Sequence, residues 1–334
     1  MLLRLFLKII RPKHEVARSE AKKITMRFHR RLVAPVLILA LLGASPSSVN
    51  VVYAGSLVTP MERDVGPSFA RTCECRYQGE GKGSVALAKM ISGGIRNPDV
   101  FISADAGVLD GLLHPKSGPA LISWYAVFGT ARMVLGYSPR SRFAGRFALA
   151  AAGRLSLPDL LLTPGLRIGR TDPKLDPKGY RSLFVMQLAA LHYHRPALAT
   201  ILEGAQNSGE IFPEEDLLVR LESGDLDVAF LYSTESQSRK LPALELPGEI
   251  NLGHPAFARQ YGLAAVTVDG RTLHGAPIAY ALTIPTNAAN TTGARAFARY
   301  VLSGAGKTAL QRSGLLFITP LIVGDRAAAT SAFK

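Results

Sequence analysis

Strand-length apolar runs that end on glycine or serine, each leading into a helical stretch, set the fold class of this chain. Val49-Asn50-Val51-Val52-Tyr53 ends in Ala54-Gly55-Ser56. Cys73 to Gln78 reads as a second strand, ending in Gly79-Glu80-Gly81-Lys82-Gly83-Ser84, and Val85 to Ile91 then has helical character. Asp99 to Ser103 is a third run, and Met133 to Tyr137 and Ile278 to Ile284 are also strand-like. Helices are expected from Tyr180 to His194 and from Ala294 to Leu302. This alternation predicts an α/β fold with a mostly parallel sheet.

Composition narrows the function. With 334 residues, 48% of them hydrophobic, 19% charged and 31 glycines, the chain can bury real cores and is neither disordered nor collagen-like. Two cysteines exclude a disulfide scaffold. The formal charge of +14 is unevenly spread: residues 1–48 hold ten of the 39 Lys and Arg but only two of the 25 acids. More than half of the basic excess therefore lies in the first seventh, and no nucleic-acid partner is expected.

That first seventh reads as an address. From Met26 a basic cluster (Arg27, His29, Arg30, Arg31) precedes an apolar run from Leu32 to Leu42 and small residues from Gly43 to Ser48. This order predicts a secretory signal peptide over 26–48 and a periplasmic or extracytoplasmic protein. The apolar run is too short for a bilayer span, which takes about 20 residues. An uncleaved N-terminal membrane anchor or a core helix is the alternative. Residues 1–25 are then an extension of uncertain status, with Met26 as the expected true start.

Three junctions carry the chemistry: Gly55-Ser56, Gly83-Ser84 and Asp176-Pro177-Lys178-Gly179 each stand at an expected helix start. Free N–H groups and the helix dipole make such starts anion sites, with serine hydroxyls as further donors. Each alone reads as an ordinary cap, since Ser and Asp-Pro are routine there. Only convergence of the three distinguishes the readings.

Several segments carry a resemblance. They are Val51 to Leu57, Gly83-Ser84-Val85, Pro98 to Asp105, Trp124-Tyr125 and, most specifically, Asp176-Pro177-Lys178-Gly179-Tyr180-Arg181-Ser182-Leu183 with Gln187-Leu188-Ala189. Later blocks are Leu221 to Asp227 with Tyr232, Glu249 to Gly253, and Pro277 to Pro285. Together they resemble the archaeal-type tungstate/molybdate-binding proteins of ABC transporters, in consistent order over about residues 50–325.

The resemblance implies a two-lobed periplasmic-binding-protein fold of type II, with the ligand cleft between lobes joined by crossing strands. Lobe I would comprise 49–127 plus 285–334, and lobe II 128–284. It implies capture of molybdate or tungstate for an ABC importer, with a membrane permease and a cytoplasmic ATPase as partners. It also implies a monomer with no cofactor besides the oxyanion ligand. In archaeal-type members an Asp and a Glu contact the metal centre, the Asp coming from an Asp-Pro-Cys-Gly-Tyr-Arg motif. Asp176 matches it, with Lys178 in place of the cysteine. The Glu lies eighteen residues before an anion-contacting Tyr, and from Tyr232 that count gives Glu214 rather than Glu215. The segment between His194 and Pro213 is shorter than usual for the family. The expected ligand-binding set is Gly55, Ser56, Ser84, Asp176, Lys178, Glu214 and Tyr232, with Asp176 and Glu214 on the Mo or W of the oxyanion.

Other residues read as bland. Cys73-x-Cys75 is expected on one face of a strand and lacks the partners of a metal site. His192-x-His194 suits a helix C-terminus. No Gly-x-Ser-x-Gly, His-Glu-x-x-His or phosphate-loop pattern occurs, and no catalytic residue is expected. Two alternatives are a carrier of sulfate or phosphate, and an enzyme on the same architecture using Cys73 or a His.

Overall fold

The computed structural model describes residues 47–333. The expected extension over 1–25 and nearly all of the signal peptide over 26–48 lie outside the described residues. Two sheets organise the chain. The larger has six strands in the order Leu316–Gly324, Trp124–Thr130, Tyr280–Thr283, Val100–Ser103, Ser48–Ala54, Arg76–Lys82. The smaller has four, in the order Ile168–Gly169, Val228–Tyr232, Met133–Tyr137, Ala243–Glu245. A separate hairpin pairs Ala265–Val268 with Arg271–His274.

The α/β class is as expected, but the sheets are mixed rather than mostly parallel. Ser48–Ala54 runs parallel to both its neighbours, and Ile168–Gly169 runs parallel to Val228–Tyr232. The other pairings are antiparallel. The reason is the route of the chain. It passes between the sheets from Thr130 to Met133 and returns into Tyr280–Thr283, and every antiparallel pair in the two sheets involves one of the strands at these passages.

The second strand is displaced from its expected place. Cys73 ends a helix, Gly66–Cys73, whose cap Glu74 is left-handed with φ 51°. Cys73 and Cys75 are joined in a disulfide, so they do not share a strand face. The strand runs instead over Arg76–Lys82, in parallel register from Ser48↔Arg76 to Ala54↔Lys82. Gly79 and Gly81, which read as turn residues, lie inside it. At Gly81 the Tyr53 ring and the Val58 side chain occupy the space a Cβ would need. Close approach, not turning, is what these glycines provide.

Helices form close to their expected positions, over Ser84–Ser92, Pro177–His192 and Thr291–Leu302. The strand Ser48–Ala54, next to the edge of the larger sheet, is covered on both faces: Val51, Val52 and Tyr53 are each at most 4% exposed. Among the described residues no helix is long and apolar enough to cross a membrane.

Candidate anion site

Asp176 begins the site as a helix cap. Its Oδ1 accepts the Lys178 N–H at 2.7 Å, and Pro177 occupies the first helical position, where a missing N–H costs nothing. Gly83 lies directly against it, because a Cβ there would run into the Leu175 carbonyl and stand 3.0 Å from Asp176 Cβ. The Ala86 N–H donates to that same Leu175 carbonyl at 2.9 Å. Two of the three junctions therefore meet. Ser84, 1% exposed, accepts the Ala104 N–H at 3.1 Å.

Glu214 opens the helix Glu214–Ser223 and turns inward at 8% exposure, whereas Glu215 is exposed and pairs with Arg239 at 2.7 Å. Gly55 is packed on Glu214 Oε2 so closely that no side chain fits there. The third junction thus joins the other two. Next to it, Ser56 Oγ and Tyr280 OH are 2.8 Å apart, both buried. Tyr232, at the end of its strand, is 1% exposed and its hydroxyl accepts from Arg181 Nη1 at 2.7 Å. The Tyr232 and Tyr280 rings lie 6.2 Å apart.

Lys178 binds the cluster together. It is fully buried and donates to Glu214 Oε1 at 2.7 Å and Glu235 Oε1 at 2.6 Å. Glu235 Oε2 accepts the Tyr232 N–H at 2.8 Å. Burial pushes Glu214 and Glu235 up to about 7, with the Lys178 charge opposing it. Burial also opposes the Lys178 charge, but Glu214, Glu235 and Asp176 outweigh it and hold the ammonium protonated well above its ordinary range. The cost of enclosing this cluster falls on the glutamates, because losing the ammonium proton would leave them with no cation. Burial likewise raises Asp176 above the usual carboxylate range.

All seven expected residues are brought together: Gly55 on Glu214, Glu214 on Lys178, Asp176 on the Lys178 N–H and beside Gly83-Ser84, Tyr232 with its ring 5.7 Å from Lys178 Nζ, and Ser56 through Tyr280. Sequence reasoning missed Glu235, although an acid three residues after Tyr232 is the spacing of a capping box. It also missed Arg181 as a clasp. Arg181 Nη1 donates to the Ala104 carbonyl at 2.8 Å and Nη2 to Asp105 Oδ2 at 2.8 Å, while Tyr180 OH donates to the same Oδ2 at 2.6 Å. These bonds tie the end of one large-sheet strand to a helix packed with the small sheet.

A cavity of about 820 Å³ lies beyond Arg181, lined by Tyr180, Phe184, Val268 and Leu273 among others. None of the seven residues lines it, so this cavity is separate from the cluster they form. Among the described residues no group of three or more His, Cys, Asp or Glu is placed to hold a metal ion. Cys73, considered above as a nucleophile, carries no thiol because it is in the disulfide.

Residues 49–316 match the family model described as bacterial extracellular solute-binding protein. A candidate ABC transporter molybdenum-binding protein of Haloferax volcanii is 37% identical over 248 residues, covering 74% of this chain and 75% of its own. The molybdate/tungstate-binding protein WtpA of Thermococcus kodakarensis is 29% identical over 331 residues, covering 86% and 91%. Among solved structures, the periplasmic molybdate-binding protein of Azotobacter vinelandii superposes with a TM-score of 0.56 at 17% identity, over 82% of this chain and all of that one. The sulfate-binding protein SubI of Mycobacterium tuberculosis gives 0.51 at 15% identity, over 85% and 90%. These likenesses agree with the two-sheet architecture, and the chain belongs to the bacterial extracellular solute-binding protein family.

Proposed function

We propose that the protein captures molybdate or tungstate outside the cytoplasm and delivers it to a membrane permease driven by a cytoplasmic ATPase. One observation carries the reading. Two buried carboxylates, Asp176 and Glu214, each have one oxygen fixed by Lys178, and neither Asp176 Oδ2 nor Glu214 Oε2 has a hydrogen bond among the described residues. Carboxylate oxygens left free in this way repel an ordinary oxyanion, yet they are donors to a hard, highly charged metal centre that accepts further oxygens. The names of the Haloferax and Thermococcus relatives point the same way.

The two sheets are in keeping with two lobes near the expected 49–127 plus 285–334 and 128–284, with the boundaries moved to about 130 and 280 because Trp124–Thr130 and Tyr280–Thr283 both belong to the larger sheet, and the site lies where the two meet. Arg181 and Asp105 then clasp one lobe to the other, in keeping with hinge closure around a ligand. The Cys73–Cys75 disulfide supports an oxidising, extracytoplasmic location, and capture and release of one small ion needs only a monomer.

Calorimetric titration of the secreted chain with molybdate, tungstate, sulfate and phosphate tests the reading. Tight binding of the first two and weak binding of the others is expected. Preference for sulfate or phosphate would make the protein a carrier of tetrahedral anions, in which the Lys178 ammonium, rather than the carboxylates, is the attractive element.

A further inference from the structure

Of the three buried acids around Lys178, only Glu235 has both oxygens engaged. Oε1 accepts from Lys178 Nζ at 2.6 Å, and Oε2 accepts the Tyr232 N–H at 2.8 Å. Asp176 and Glu214 each have one oxygen bonded, to the Lys178 N–H and the Lys178 ammonium respectively. Glu235 is enclosed as deeply as the ammonium it meets: the Lys178 and Glu235 side chains are 0% and 2% exposed. It lies in the first turn of the helix Ser233–Arg239, which follows directly on Tyr232. An acid buried this far is retained only where it is paired, and its one charged partner is Lys178. Whatever Glu235 does for the site, it does through that ammonium.

A buried ammonium is a problem for selectivity. Its attraction for a dianion depends on charge and distance, so it draws sulfate and phosphate as readily as molybdate. Glu214 alone would neutralise it once, and a ligand that engages Glu214 would weaken even that. Glu235 takes a second of the three ammonium donors and supplies a negative charge that does not depend on Glu214. With Lys178 and Glu235 cancelling, the charges left over are those of Asp176 and Glu214. Arg181 does not alter this balance, because Asp105 pairs with it at 2.8 Å.

Resting on the reading of this pocket as a molybdate and tungstate site, we infer that Glu235 is a positioning residue that sets selectivity. It fixes and neutralises Lys178, so that the buried cation does not recruit sulfate or phosphate and discrimination rests with Asp176 and Glu214.

The test is calorimetry of the full secreted chain with sodium molybdate and sodium sulfate, in wild type, Glu235→Gln and the double variant Lys178→Met/Glu235→Gln. It is run at pH 8, above the value of about 7 to which burial raises Glu235. Glutamine keeps the size of the side chain and an oxygen for the Tyr232 N–H, but carries no charge. Sulfate affinity should rise about tenfold or more in Glu235→Gln, as expected from uncoupling a close charge pair, and the preference for molybdate should narrow. A residue that only supports the fold would weaken both anions together. Parallel weakening, or sulfate binding as in wild type, would therefore overturn the inference. In the double variant the gain in sulfate affinity should vanish, because no cation is left to be freed. A gain that persists there would also overturn it, since Glu235 would then repel sulfate directly. Wild type that binds sulfate as tightly as molybdate would refute the reading of the pocket before any variant is compared, and this inference with it.

Discussion

The Lys178 ammonium donates to Glu214 at 2.7 Å with its own side chain fully enclosed and that of Glu214 only 6% exposed. In the family motif this position is a cysteine, so the contact is a property of this chain. It puts a cation on a carboxylate that the motif otherwise leaves for the ligand, and Glu235 holds that cation from its other side at 2.6 Å. Removing one partner from such a buried set leaves charge without compensation, which costs about 3–5 kcal/mol. Lys178→Met should lower stability by that order in urea unfolding. Adding Glu235→Gln to Lys178→Met should restore part of the loss, whereas a further loss would mean that Glu235 is held independently of Lys178.

A pH dependence follows from the same cluster. Glu214 and Glu235 are raised by burial from an ordinary 4.5 to about 7. Between those values the folded chain holds protons that the unfolded chain has released. Stability from this source therefore falls as pH rises from about 4.5 to 7 and is lowest above 7. Glu235→Gln removes one such group and, by leaving Lys178 to Glu214 alone, lowers the other. The melting temperature of Glu235→Gln should therefore change less between pH 5 and pH 8 than that of wild type. An equal or steeper change would show that Lys178 already keeps both carboxylates ionised.

What could be read in the sequence divides by range. Asp176 and the helix after it were legible because a cap and its proline are a local signal, and the six residues from Asp176 to Arg181 carry the family motif apart from one substitution. Glu214 was legible only through its count to Tyr232. The partner of Lys178 was not, because Glu235 lies 57 residues away and meets it only when the helix at Pro177 and the strand ending at Tyr232 pack together. The same holds for Asp105 and Arg181, 76 residues apart. The misplaced second strand has another cause. Gly79 and Gly81 look like breakers until Glu62 and Tyr77 at Gly79, and Tyr53 and Val58 at Gly81, are seen to occupy the space of their side chains. Packing overrode propensity there.

The clasp at Asp105 combines two functions in one carboxylate. Oδ1 caps the helix Ala106–Leu113 through the Gly107 N–H at 2.7 Å, and Oδ2 receives Arg181 and Tyr180. Asp105→Ala should cost about 2 kcal/mol or more, combining a lost cap with hydrogen bonds to a charged group. Asp105→Asn keeps a capping oxygen and loses the charge. It should cost less in unfolding, yet weaken anion binding if the Arg181 clasp holds the bound state together. Unchanged affinity in Asp105→Asn would separate the clasp from binding.

The Cys73–Cys75 bridge closes a very short loop, so its effect on the unfolded chain is small, about 1–2 kcal/mol. Intact mass of the secreted protein should lack the two thiol hydrogens. Reduction should lower stability by that modest amount and leave molybdate affinity unchanged, since neither cysteine is among the site residues. A loss of binding on reduction would make the bridge part of the site's support.

Selectivity is the sharpest test of Asp176 and Glu214. Each presents a carboxylate oxygen with no hydrogen bond among the described residues on a largely buried side chain, where a dianion bound by hydrogen bonds alone meets strong repulsion. Molybdenum and tungsten in their oxyanions can accept two further oxygens, which converts that repulsion into coordination; sulfur in sulfate cannot. The carboxylates therefore penalise the competitor more than they need to attract the ligand. Asp176→Asn and Glu214→Gln should each weaken molybdate and tungstate binding sharply while sulfate binding stays weak or improves. The amide oxygen that replaces each carboxylate is a poorer donor to the metal and no longer repels. Ser56→Ala gives the contrast: it removes a hydroxyl paired with Tyr280 at 2.8 Å and should weaken every oxyanion by a similar factor of about ten. If Glu214→Gln titrates like wild type, Lys178 has withdrawn Glu214 from the ligand altogether. If Asp176→Asn is silent as well, the anion is held as a tetrahedron by hydrogen bonds, with the Lys178 charge as its attraction.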